Sequence, residues 1–334
     1  MEKHDIPLTS AEMSCLWSTY VADSMSICIL KYFRKIIEDK EIKQVVEHAL
    51  DLSQQHVEMI RDIFTAETIP VPQGFTAADV NLNAKRLFSD SFCLHYVKKM
   101  AKAGLMINSS VLPNMYRNDI LSFYSKMLTS TIELNTETIQ LLLEKGLASR
   151  PPQIPKPKQV EFIHKQAFLF DFLGKNRPLT GIEITNLCNN LETSVLVAAL
   201  GTAFAQTASS EQVREYMLRG RDIAKKHIDV FSSYLKNADL PAPTSHGHEI
   251  EDTTEAPFSD KLMMFHFAFI SDVGIGNYGM SISQSQRSDL VLDYSRLLIE
   301  ILKFAGGGAN IMISEGWLEQ PPMAVDRKKL AEEK

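Results

Sequence analysis

Apolar positions recur along this chain at helical spacing, and the same pattern is written twice. Met13, Leu16, Trp17, Tyr20, Ile27 and Leu30 fall three or four residues apart or at multiples of that step, which gathers them on one stripe of a helix. Thr9 stands three residues before Glu12, the capping-box spacing, and starts that helix, which runs to about Asp39. A second stripe, Val45, Ala49, Leu52, His56, Met59 and Ile63, predicts a second helix ended by Pro70 and Pro72. The periodicity then lapses from Thr68 to about Lys85. A third helix is predicted to about Ser110, and a fourth from about Pro113 to Lys145, with Gly146 placed to stop it.

The long second connection needs a reason inside a compact domain. Helices of about 28 residues are about 42 Å long, and a chain returning alongside one needs a crossover of that reach. Short, long, short connections fit the up-down-down-up order of ferritin-like bundles, and they count against an antiparallel bundle with three short loops.

From Pro178-Leu-Thr180, which answers Pro7-Leu-Thr9, the order of elements repeats. Asp51, His56 and Ile69-Pro-Val-Pro72 are answered 171 positions later by Asp222, His227 and Leu240-Pro-Ala-Pro243. After the crossover the offset becomes 170: Phe258-Ser-Asp260 answers Phe88-Ser-Asp90, and Gly316 answers Gly146. A single deletion confined to a loop makes duplication the explanation. The expected fold is therefore all-α, two tandem ferritin-like four-helix bundles at 1–150 and 178–334, the second with a short C-terminal tail. The linker between them, 151–177, is Pro-rich and then apolar. Its apolar part, Val160 to Leu173, is expected to pack along the seam between the bundles. Gly274, Gly276, Gly279 and Gly306-Gly-Gly308 lie in helices of the second copy only. They are costly there unless helices approach closely or a ligand or hinge needs them.

Composition narrows the class. Apolar residues make up 45% and charged residues 23% of 334, with a net charge of -6, as in a globular protein. There is no basic patch with interleaved aromatics, so nucleic acid is not an expected partner. The four cysteines are widely spaced and read as reduced thiols of a cytoplasmic protein. No uninterrupted apolar run is long enough to predict a transmembrane segment, and no signal peptide opens the chain.

Val80-Asn-Leu-Asn83, Leu87-Phe-Ser-Asp90, Leu143-Glu-Lys-Gly146, Arg150-Pro-Pro152, Phe258-Ser-Asp-Lys-Leu-Met-Met264, Gly274-Ile-Gly-Asn-Tyr-Gly279 and Gly316-Trp-Leu-Glu-Gln-Pro-Pro322 span nearly the whole chain. In these motifs it resembles the domain of unknown function 3231 family, a duplicated family of spore-forming bacilli placed among the ferritin-like folds. The resemblance implies fold, lineage and a distant likeness to spore coat proteins, and it implies no activity.

Ferritin-like bundles commonly hold two metal ions through Glu-x-x-His pairs on facing helices. Glu161-Phe-Ile-His164 is the one such pair here, and it falls in the linker. His56 and His227 occupy the inner stripes of the second helices, but Ser53 and Ala224 stand where the carboxylates should be. The second copy adds His266, Glu192, Asp293 and Tyr294, which could join His227 around one iron, manganese or zinc ion. Hydrogen bonding of each core histidine to a buried partner such as Tyr96, Tyr124 or Tyr294 is the preferred reading, so no cofactor is expected. His246-Gly-His248-Glu249 is expected to be an exposed loop cluster. No nucleophile has an evident base and no phosphate-binding glycine loop precedes a helix, which favours a non-enzymatic role. The expected function is that of a structural or interaction protein associated with sporulation or the spore coat, with protein partners or self-association. A metal-binding oxidase or storage protein and a small-ligand binder in the second bundle are the alternatives.

Overall fold

The computed structural model describes residues 6–165, 168, 177–242 and 249–332. Helices α1 (Ser10–Ile36), α2 (Lys40–Ala66), α3 (Asp90–Val111) and α4 (Asn118–Glu144) form the first copy. Helices α5 (Gly181–Thr207), α6 (Glu211–Lys236), α7 (Asp260–Gln284) and α8 (Ser288–Ser314) form the second, and a short α9 (Arg327–Glu332) follows.

The expected capping box is present at Thr9 and Glu12, and its duplicate at Thr180 and Glu183. Gly146 and Gly316 both take φ +67°, the left-handed conformation that ends α4 and α8. Two helix starts differ from expectation. Helix α3 begins at Asp90, not near Lys85, because Ser89 caps it and residues 80–88 pair elsewhere. Helix α4 begins at Asn118, since Pro113 sits in a separate 3-10 turn, Leu112–Asn114.

Hydrogen bonds between helix ends establish the direction of each helix. Asp90, the first residue of α3, accepts the backbone N–H groups of Glu38 and Asp39, so α3 starts beside the start of α2 and runs parallel to it. Glu12, in the first turn of α1, accepts the N–H groups of Tyr116 and Arg117, so α4 starts beside the start of α1. The order is up, down, down, up. The second copy repeats both devices: Asp260 accepts from Ser209 and Ser210, and Glu183 from Gln286 and Arg287.

The two crossovers pair with each other in isolated antiparallel bridges, Val80 with Phe258 and Phe88 with Ile250. Asn81 N–H donates to the Pro257 carbonyl at 2.8 Å, and Glu251 N–H to the Leu87 carbonyl at 2.9 Å. Residues 81 and 251, and 87 and 257, are duplicates, so each contact is made twice about a pseudo-twofold axis. A central apolar cluster, including Phe33, Phe92, Phe204 and Phe267, spans both copies. Each copy has its own distal cluster, around Tyr124 in the first and Tyr294 in the second.

The linker does not behave as expected over its described part. Val160, Phe162 and Ile163 are exposed instead of packed along the seam, and residues 169–173 lie outside the described residues. The glycines divide: a Cβ on Gly308 would collide with the Tyr216 ring, whereas Gly276, Gly279, Gly306 and Gly307 face open space. Helices α1 and α8 have the length and mean hydropathy of weak membrane-span candidates, and both take their places in the bundles.

Candidate functional site

A buried imidazole is least costly when both ring nitrogens find partners. In the second bundle α6 carries His227 inward, α7 carries Tyr278 and α8 carries Glu300. His227 Nδ1 lies 2.8 Å from the Tyr278 hydroxyl, and Nε2 lies 3.1 Å from Glu300 Oε2. Burial lowers the His227 pKa, opposed by Glu300, and the ring is neutral at pH 7. Its one N–H therefore belongs at Nε2, donating to the carboxylate, and Nδ1 accepts from the phenol. Burial raises the Tyr278 pKa, so this phenol holds its proton. Glu300 also takes Lys226 at 2.8 Å, which ties the buried chain of polar groups to the surface.

Beside His227 lies a cavity of about 60 Å³, lined in part by Asn190, Ser194, Ser271, Gly274 and Tyr278. It has room for a few waters and is far below the ~300 Å³ at which pockets for larger ligands begin. Ser194 and Ala224 help to line it, where the first copy has Asp23 and Ser53.

The duplicate histidine solves the same problem differently. His56 Nδ1 meets Asp23 Oδ2 at 3.0 Å, and Ser53 donates to Asp23 Oδ1 at 3.1 Å. His266 lies on the seam, where its Nε2 is 2.6 Å from the Tyr96 hydroxyl and its Nδ1 has no partner among the described residues. Complete burial lowers its pKa to about 3.

The six residues singled out from sequence as candidate ligands do not converge. His227, His266 and His56 have the separate partners just described. Asp293 accepts from Tyr234 and pairs with Arg296, while Tyr294 packs against Phe231 and Tyr278. Glu192 lies in the seam, paired with Lys98 and Lys99 and not with His227. Among the described residues no group of three or more His, Cys, Asp or Glu could hold a metal ion. His246 and His248 lie outside the described residues, and Glu249 is buried, not exposed as expected of that loop.

Tyr96 was the one expected tyrosine partner observed; Tyr124 instead meets Thr19. The sequence reading missed Tyr278 and Glu300. Tyr278 lies inside the Gly-rich stretch of α7, and Glu300 is answered by Ser130, so the duplication gave no signal for either.

The family model described as a protein of unknown function, DUF3231, matches residues 1–160 and again 167–330. The chain belongs to the DUF3231 family. This is the family whose motifs the sequence resembles, and the two matches coincide with the two copies of the DUF3231 bundle. A solved structure described as "a putative spore coat protein" from Bacillus halodurans C-125 is similar to this DUF3231 chain at 18% identity and a TM-score of 0.42. That likeness covers 45% of this chain and 98% of the other. No curated protein matches.

Proposed function

We propose that this DUF3231 chain is a non-catalytic structural or interaction protein on a duplicated ferritin-like scaffold, cytoplasmic or spore-associated. The observation that carries the interaction role is the outward side of the fourth helices. On α8, Leu292, Ile299, Leu302 and Ile313 are exposed, and on α4, Ile132, Ile139 and Leu143. Scattered exposed apolar residues are ordinary, but Leu292, Ile299, Gly306 and Ile313 are heptad-spaced, the spacing of a helix-to-helix seam.

The shape of the α8 stripe suits a second copy of the chain. Ile299 and Leu302 are large, while Gly306 and Ala309, two turns further on, are small. Antiparallel pairing sets the large pair of one helix against the small pair of the other, whereas parallel pairing would set large on large.

Sedimentation of the untagged protein tests this reading. Self-association is expected, and Leu292→Ser with Ile299→Thr, the residues α4 carries at Ser122 and Thr129, should weaken it by about tenfold. A monomer at all concentrations would contradict it. Stoichiometric iron, manganese or zinc in the same preparation would replace it with a metal-dependent role. The spore association rests on family analogy and calls for recovery of the protein in spore coat extracts.

A further inference from the structure

The backbone contacts between the two crossovers come in duplicate across the pseudo-twofold axis. Ser259 N–H donates to the Asp79 carbonyl as Ser89 N–H does to that of Glu249. Asn81 N–H and Glu251 N–H donate to the Pro257 and Leu87 carbonyls in the same reciprocal way. Reciprocity of this kind, in which i meets j and the duplicate of j meets the duplicate of i, is the signature of an isologous dimer interface.

Not every contact is reciprocal, and three of the exceptions bear on the choice of partner. Tyr96 and His266 are duplicates of one another and meet on the axis, phenol against imidazole. Lys85 and Glu255 are also duplicates and meet as an ion pair at 2.7 Å. The third lies to one side of the axis: Glu192 of α5 takes Lys98 at 3.3 Å and Lys99 at 2.7 Å from α3. On the opposite side the equivalent positions hold Val21, Ala268 and Phe269.

We infer that the seam is a pairing interface descended from a symmetric contact between like bundles, in which these replacements now select the unlike half as partner, its own or that of a second copy. Two first halves would bring Lys98 and Lys99 against Val21, leaving ammonium groups buried without a carboxylate. Two second halves would bury Glu192 against Ala268 and Phe269. Uncompensated buried charge is among the most costly defects an interface can carry. Lys99 and Glu192 are only 10% and 13% exposed at their side chains, so the penalty applies here. Burial pulls the Lys99 ammonium down to about 8 even with Glu192 beside it, and losing that carboxylate would pull it further. On the axis the same exchange sets Lys85 against Lys85 and two phenols into room for a phenol and an imidazole, or Glu255 against Glu255 and a gap.

The test uses the full chain with a protease site placed in the exposed stretch 151–165. After cleavage the halves are expected to co-elute on dilution, and mixing two isotope-labelled batches should yield exchanged pairs that are always first half with second half. Glu192→Leu should weaken the cleaved pair by about 100-fold. Glu192→Val with Lys98→Ala and Lys99→Phe, which copies the opposite side of the seam, should recover it to within about tenfold. Like pairs from the wild type, an unaffected Glu192→Leu, or a triple variant as weak as Glu192→Leu would each overturn the inference.

Discussion

The two copies share a backbone plan and differ in how each buries charge at the same places. Glu12 and Glu183 are duplicates at the head of each bundle, and each accepts the N–H groups that precede the fourth helix. Glu183 also takes both guanidinium nitrogens of Arg177, at 2.8 and 2.9 Å, where the first copy has Ile6 in place of the arginine. Burial alone would raise the Glu183 pKa, yet Arg177 and the backbone N–H groups hold it at about 2. The lesson is that a duplicated helix-end device keeps its backbone role while its charge partners drift.

The largest expected effect sharpens that contrast. Glu183→Gln should cost about 3–5 kcal/mol, because it leaves Arg177 without its carboxylate. Glu12→Gln should cost nearer 1–2 kcal/mol, read from urea unfolding at pH 7. Equal losses would break the comparison. The Glu183 contribution is complete above its ordinary value of 4.5 and is lost as pH falls through 4.5 toward 2.

The seam supplies the next effect. The folded-state pKa of His266 is depressed from 6.5 to about 3, so its stabilising contribution is whole above 6.5 and erodes below it. The slope is about 1.4 kcal/mol per pH unit, roughly 3 kcal/mol over two units. Tyr96, its duplicate, does not titrate in that range, because burial raises it from an already high value. Urea titrations of the wild type and His266→Gln between pH 7 and 4 should differ in slope, and parallel curves would assign the acid sensitivity elsewhere.

Gly308 gives a smaller, local test. An added methyl meets the Tyr216 ring, which stacks on Phe304 at 4.2 Å. Gly308→Ala should cost about 2 kcal/mol and Tyr216→Val should relieve it, since the first copy carries Thr138 and Val45 at the two positions. The smallest effects have the opposite sign. Gly276→Ala and Gly279→Ala have open space, and each should raise stability by about 0.5–1 kcal/mol in thermal unfolding.

What could be read from the sequence was what local physics determines. Helical stripes, the capping residues Thr9 and Thr180, the stops at Gly146 and Gly316 and the long crossover needed only neighbouring residues or the offset between copies. The late start of α3 was hidden because residues 80–88 are drawn into pairing with 250–258, a contact between halves. The interior fared worse for the same reason. His227 was identifiable from its stripe, but its partners lie on α7 and α8, and neither has a like residue in the first copy to mark it. The glycines were misjudged in part: Gly308 serves close packing, while Gly276 and Gly306 touch nothing in this chain.

The two like bundles meet reciprocally through their crossovers, and hydrogen exchange of four backbone amides measures that directly. Asn81, Ser89, Glu251 and Ser259 donate across the seam in two duplicate pairs. The four are predicted to exchange slowly, at one common opening free energy, and to lose protection together in Glu192→Leu. Rapid exchange of either pair while the other stays protected would contradict a reciprocal seam.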